Sequence, residues 1–146
     1  MTKLIFFLFF ATLSRVLYGQ SYPPFVSLDS DPNGNIVLTA RVNVCDVIAK
    51  YDSAGNSIWA KSFQPNAQDQ MAAAIDPKGN IFVLGRTLAK AIVIDTTDIV
   101  NYSDYRKVMC YLVKLDSAGN TLWGKPVHSD YTLQFPPITI DSVGNI

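Results

Sequence analysis

The segment with the clearest possible chemistry is Asp29–Gly34, which reads Asp-Ser-Asp-Pro-Asn-Gly. Side-chain oxygens at alternate positions before a glycine begin an EF-hand calcium loop, so Asp29, Asp31 and Asn33 are candidate calcium ligands. The twelfth position of such a loop needs a bidentate carboxylate, but Ala40 stands there. The same residues are typical of a β-hairpin turn, which needs no metal. Both interpretations stay open at this point.

Other residue types that carry out catalysis are few. The chain has one histidine, His128, without a recognisable nucleophile motif, and no glycine-rich phosphate loop. Its two cysteines, Cys45 and Cys110, have no zinc-ligand spacing. Aligning Asp52 with Asp116 puts the cysteines on opposite faces of equivalent strands, so we expect two unpaired thiols rather than a disulfide. We predict no catalytic residue and no cofactor in this chain.

A short pattern, Asp-[Pro/Ser]-x-Gly-Asn, occurs five times. We predict that each copy is a hairpin turn in which Asp accepts backbone N–H bonds and Gly adopts a positive φ. The paired turn residues are Asp31 and Gly34, Asp52 and Gly55, Asp76 and Gly79, Asp116 and Gly119, and Asp141 and Gly144.

Composition favours an all-β protein. The twelve acidic residues are all Asp, so the strong helix former Glu is absent, while β-branched and aromatic residues are plentiful. The formal net charge is zero, and Lys and Arg do not cluster, which excludes the electrostatic footprint of a nucleic-acid binder.

The turns divide residues 21–146 into repeats of strand, turn, strand, loop, strand, turn, strand. Each repeat is predicted to be a four-stranded antiparallel meander, one blade of a β-propeller. Blade 1 covers about 25–63, blade 2 about 71–127, and a third begins at about 137–146, so the ring is not closed. The last residue, Ile146, falls where a second strand should start. We therefore expect an N-terminal fragment of a longer chain with further blades.

The first 20 residues predict a secretory signal peptide. Lys3 precedes the ten apolar residues Leu4–Leu13, and small residues allow cleavage after Gly19 or after Ser21. Ten apolar residues fall short of the roughly 20 that cross a bilayer, which disfavours a membrane anchor. The mature protein is thus expected to be secreted or held at the cell surface, without a membrane span.

Two segments carry a family resemblance. Gly79–Thr87 followed by Tyr111–Trp123 resembles the SBBP-type β-propeller repeat of secreted and surface bacterial proteins, and the first copy matches through Asp46–Asp52 and Trp59. The spacing DxxGxxxW is also similar to the tryptophan-docking repeat of quinoprotein dehydrogenase propellers. That resemblance implies that Trp59 and Trp123 pack between blades against a neighbouring turn.

The repeats diverge most at 86–108, where the second copy is about 19 residues longer than the first. Variable loops on a rigid scaffold often bind ligands, and Tyr102, Asp104, Tyr105 and Arg106 offer aromatic and hydrogen-bonding groups. Topology places this loop on the rim opposite the turns. Alternatively, Ala91–Asp95 and Asp98–Tyr102 extend the second and third strands as a longer hairpin.

These observations lead to two functional expectations. The first is an exported, non-enzymatic propeller scaffold that binds protein or glycan at the cell surface. The alternative is the propeller part of a secreted enzyme, a quinoprotein-like dehydrogenase or a hydrolase, with its catalytic residues outside this sequence.

Overall fold

The computed structural model describes residues 26–42, 45–62, 70–87, 89–100, 108–127 and 138–146, and all of their regular structure is β. The predicted all-β class is confirmed. The strands are β1 (Val26–Ser30), β2 (Ile36–Val42), β3 (Cys45–Tyr51), β4 (Ser57–Ser62), β5 (Gln70–Ile75), β6 (Ile81–Thr87), β7 (Ala91–Ile94), β8 (Thr97–Val100), β9 (Met109–Leu115) and β10 (Thr121–Val127).

The strands form two four-stranded antiparallel sheets and one hairpin. The first sheet has the order β1-β2-β3-β4, the second has the order β5-β6-β9-β10, and β7 pairs only with β8. Strands β1–β4 lie within residues 26–62, and β5, β6, β9 and β10 lie within residues 70–127. The described strands form no closed barrel.

Five turns of one geometry follow β1, β3, β5 and β9 and close the described chain at 141–145. In each, the Gly N–H donates to the Asp carbonyl at 2.9–3.0 Å and the Asn side-chain amide donates to Asp Oδ2 at 2.7–2.9 Å. The glycines have φ between 78° and 93°, a left-handed conformation in which an L side chain is strained. The recurring letters therefore encode backbone geometry.

The prediction that the 86–108 segment lengthens the second and third strands is wrong for its described residues. Ala91–Ile94 and Thr97–Val100 instead form the separate hairpin β7–β8, which packs on β10. The reason is burial: Ile92, Ile94 and Ile99 alternate with exposed residues and are buried, Ile99 where Gly124 of β10 has no side chain.

The main core lies between the two sheets and under the hairpin. Fully buried aliphatic residues from both sheets meet there, with half-buried Trp59 packed against them. The cluster comprises Val37, Ile48, Met71, Ala73, Ile75, Ile81, Val83, Ile92, Ile94, Ile99, Met109, Tyr111, Val113 and Leu115. Neither four-stranded sheet covers its own apolar face, so the sheets stabilise each other.

Candidate functional site

The most elaborate polar arrangement in the described residues is the interface between the two sheets. Strand alternation puts Val37, Lys50 and Trp59 in one row across the first sheet, facing the second. We call the face of the first sheet that carries Lys50 and Trp59 its donor face. This face contacts two turns of the second sheet, 76–80 and 116–120, which we call the accepting turns.

Lys50 is the centre of this interface. Its side chain is almost fully buried, with 4% of the residue exposed, and Nζ donates to the carbonyl oxygens of Gly79 at 3.3 Å and Ser117 at 3.2 Å. A buried ammonium is costly unless hydrogen bonds replace its water. The two turn carbonyls supply them, so Lys50 links both accepting turns to the first sheet.

Trp59 contacts the second accepting turn. Its indole Nε1 donates to the Ser117 carbonyl at 3.1 Å, and its ring lies over Gly119, where a Cβ would stand 2.9 Å from Cε2. The structure thus places Trp59 between the sheets against a neighbouring turn. Position 119 requires glycine for two reasons: its φ is 88°, and the Trp59 ring lies where a Cβ would be.

Three smaller side chains on β1 and β2 also bond the second sheet: Ser27, Asp29 and Thr39. Ser27 Oγ bonds both the carbonyl and the N–H of Ala73 at 3.3 Å, and Thr39 Oγ1 donates to the Met71 carbonyl at 3.1 Å. The third, Asp29, also bonds a main-chain atom of the second sheet. The first sheet therefore supplies side chains to this interface, and the second supplies main-chain atoms.

The candidate calcium ligands lie in this same region, with their carboxylates directed at protein donors. Asp29 Oδ2 accepts the N–H of Ile75 at 2.9 Å across the interface, and Asp31 Oδ1 accepts those of Asn33 and Asn35, both at 2.9 Å. Calcium would compete with these bonds. Within the described residues no group of three or more His, Cys, Asp or Glu side chains is placed to hold a metal ion. The calcium site stays a prediction.

A second link between the sheets passes through the β7–β8 hairpin. Asp95, at its tip, has φ 53°, accepts from Lys61 Nζ of β4 at 2.7 and 2.9 Å, and accepts from Thr121 Oγ1 at 2.6 Å. The Lys61 and Thr121 hydrogen bonds hold the pKa of Asp95 below its usual value of 3.8. Thr121 starts β10 beside the turn Asp116–Asn120, so the hairpin tip reaches the rim of the turns. The prediction that the 86–108 segment lies on the opposite rim is therefore wrong for this tip.

The second sheet carries the same pair of side chains on its far face, in a different environment. Lys114 and Trp123 are paired across β9 and β10 as Lys50 and Trp59 are across β3 and β4. Lys114 Nζ lies 4.8 Å from the Phe82 ring centroid, and the Phe82 and Trp123 rings meet edge to face at 6.2 Å. Among the described residues, no turn lies against Trp123 as one does against Trp59.

Electrostatics in the turns follows from their hydrogen bonds. Backbone and side-chain donors of Asn56 lower the pKa of Asp52, and those of Asn120 and Asn145 do the same for Asp116 and Asp141. These carboxylates are charged acceptors that close turns, and among them no catalytic pairing is formed.

The predicted loop ligands Tyr102, Asp104, Tyr105 and Arg106, and also His128, lie outside the described residues. Both cysteines are free thiols, as expected, and burial raises the pKa of Cys110. The described part of the chain contains no helix of the length and apolarity that would cross a membrane.

Sequence reasoning missed Lys50 and the other interfacial donors. A signal existed, because Lys and Trp recur at the same distances from Asp-Ser-Ala-Gly-Asn in both repeats: Lys50 and Trp59, then Lys114 and Trp123. What this arrangement can do chemically is bind main-chain carbonyls of a neighbouring turn. No protein-family model matches the chain, and no curated protein matches it.

Proposed function

We propose that this protein is an exported, non-enzymatic scaffold of the SBBP type, whose four-stranded sheets are blades of a β-propeller and whose loops bind protein or glycan at the cell surface. One observation carries the proposal. Lys50 and Trp59 of the first sheet dock on the turns of the second, and the second repeats both residues at the same register.

The order of the contacts supports a radial arrangement. The first strands of the two sheets, β1 and β5, lie side by side, and the fourth strand, β4, reaches the turn between β9 and β10. Equivalent strands of successive sheets therefore follow one another in the same order. Propeller blades are related in this way around a central axis.

The placement of polar groups supports a structural role for the turns. The Asp of each turn bonds its own Asn, and the carbonyls of Gly79 and Ser117 serve the interface. Ligand binding is then expected on the loop that includes Tyr102, Asp104, Tyr105 and Arg106 rather than on the turns.

Export is tested in cells that express the chain with a C-terminal epitope. The expected results are epitope labelling on intact cells or recovery from the medium, and a mature N-terminus directly after Gly19 or after Ser21 by sequencing. Retention of an uncleaved chain in the cytoplasm would overturn this part of the proposal.

Binding is tested on a glycan array and on extracted surface proteins, comparing the chain with a variant in which Tyr102, Asp104, Tyr105 and Arg106 are all replaced by alanine. We expect the variant to lose at least about tenfold in affinity, or about 1.4 kcal/mol. The matched control replaces an exposed turn residue, Lys78→Ala, and should bind normally. Unchanged binding by the loop variant, with circular dichroism showing that it is folded, would place the site elsewhere.

A further inference from the structure

The five turns differ at the position before the glycine, and only the first turn has asparagine there. Asn33–Gly34 is the one Asn-Gly pair in the sequence, whereas the other four turns carry Ala, Lys, Ala and Val before the glycine. Asparagine is a thermolabile residue. The backbone nitrogen of the next residue can attack the side-chain carbonyl carbon of an asparagine, and a glycine leaves that approach free of a side chain. The first turn therefore contains the pair of residues in which asparagine loses its amide most readily.

The side chain of Asn33 is not held in the folded protein. Asn33 is exposed, and among the described residues its amide has no hydrogen-bond partner. By contrast, the asparagine that closes each turn is fixed, because its amide donates to the Asp carboxylate of the same turn at 2.7–2.9 Å. Rotation of such a side chain toward the next backbone nitrogen breaks that bond. Exposure thus distinguishes Asn33 from the closing asparagines of the turns.

The backbone around Asn33 is held from within its own turn. The N–H of Gly34, whose nitrogen is the attacking atom, donates to the Asp31 carbonyl at 2.9 Å, so the turn has to open before it reacts. The N–H of Asn33 also donates to Asp31, at 2.9 Å to Oδ1. Gly34 itself is exposed. Local opening of an exposed turn whose described bonds are internal has a low free-energy cost.

The equivalent turn of the second sheet is also held from outside. Gly79 is buried, and its carbonyl accepts from Lys50 Nζ at 3.3 Å across the sheet interface. The internal bonds are those of the first turn, since the N–H groups of Lys78 and Gly79 donate to Asp76 at 2.9 Å. Opening this turn therefore costs the contact with Lys50 as well, so the first turn opens more often than the second.

We propose that Asn33 is a site of spontaneous deamidation in the folded protein, through a succinimide formed with Gly34. The Gly34 nitrogen loses its proton and bonds to Asn33 Cγ. The bond from Cγ to Nδ2 breaks, and the side-chain nitrogen takes up the proton and leaves as ammonia. Water then opens the ring at either carbonyl, which gives aspartate or isoaspartate at position 33. The reaction needs only this turn and water, and does not depend on the proposed blade arrangement.

Either product changes the first turn. Isoaspartate lengthens the main chain by one methylene group just before Gly34, whose φ of 78° and bond to the Asp31 carbonyl depend on the present spacing. Both products place a carboxylate near that of Asp31, which is buried beside Gly79 of the second sheet, and like charges repel. Deamidation thus adds one negative charge at the rim of the turns and weakens the first turn.

The test follows the full chain during incubation in mildly alkaline buffer made with heavy-oxygen water, by peptide mapping and mass spectrometry. The matched variant is Lys78→Asn, which gives the second turn the same five residues as the first, Asp-Pro-Asn-Gly-Asn. The two turns of this variant then differ only in their surroundings. Circular dichroism checks that each chain is folded, and a parallel incubation in concentrated urea gives the rates without structure.

In both folded chains we expect position 33 to lose its amide and to take up one heavy oxygen atom, while the closing asparagines of the turns stay unchanged. In the folded variant, position 33 should react at least about tenfold faster than position 78, because the second turn keeps its hydrogen bond to the Lys50 ammonium. Urea should abolish this difference.

Three results would overturn the proposal. The first is that position 33 reacts only in urea and stays intact in the folded chain. The second is that it reacts no faster than the asparagines that close the turns. The third is that position 78 of the folded variant reacts as fast as position 33, since the sequence of the turn and not its exposure would then decide the rate.

Discussion

The indole of Trp59 covers Gly119, and its N–H bonds the carbonyl of Ser117 two residues earlier. The turn Asp52–Asn56 has the same five residues, yet Gly55 is exposed. The same glycine substitution made in each turn therefore separates the cost of backbone strain from the cost of disturbing the contact with the ring.

We predict that Gly119→Ala destabilises the protein far more than Gly55→Ala does. Both substitutions force an L residue into φ above 80°, at about 1–2 kcal/mol. Only the methyl group introduced at position 119 meets the Trp59 ring, which adds about 1–3 kcal/mol of overpacking. Urea unfolding at a concentration where the chain is monomeric measures both. Equal losses would mean that Trp59 does not bear on the turn in solution.

Lys50→Met tests the buried ammonium. Methionine keeps an unbranched stem but leaves the Gly79 carbonyl without its donor, so we expect a loss of about 2 kcal/mol in the free energy of unfolding. Lys114→Met is the matched control and should cost less than about 1 kcal/mol, because it removes the contact with Phe82 and the charge–charge attraction to Asp76 but no described hydrogen bond. Indistinguishable effects in the monomer would contradict the docking role of Lys50.

The hairpin is tested through Gly124 and Ile99. A Cβ on Gly124 would stand 2.5 Å from Ile99 Cδ1, so Gly124→Ala should cost about 1–2 kcal/mol. Ile99→Val removes that methyl group and alone should cost about 1 kcal/mol. The double variant should lose less free energy of unfolding than the sum of the losses of the two single variants. Strict additivity within about 0.5 kcal/mol would show that the hairpin does not pack on β10.

The Asp95 contacts predict a pH dependence. Because the folded pKa of Asp95 lies below 3.8, its contribution is present above that pH and is lost as the pH falls through the folded pKa. Asp95→Asn tolerates φ 53° and should cost about 0.5 kcal/mol at neutral pH, since the pair is partly exposed. The difference from the unmodified chain should vanish in acid. A difference that stays the same as the pH is lowered through the acid range would assign the effect to packing.

The strands and turns could be predicted because their signals are local. Each turn is specified by Asp, Gly and Asn within five residues, and each strand by alternation of apolar residues. The interface was harder to predict. The sequence around Lys50 is that of an ordinary solvent-exposed lysine in a strand, and only the folded structure shows the neighbouring turns that bury it. The hairpin position depends on Gly124, where the first repeat has Ala60, and only packing shows that this missing side chain admits Ile99.

At the sheet interface, side chains of β1–β4 bond main-chain atoms of the second sheet, which mostly accept but donate at Ala73 and Ile75. Main-chain donors and acceptors are common to every unit that folds into the same meander, whatever its side chains. A gene duplication that copies one unit would therefore create a fitting neighbour in a single event, and the copies could diverge freely at exposed turn positions such as Lys78. The pair of sheets is also polar, because one sheet supplies the side-chain half of the contact and the other supplies the main-chain half.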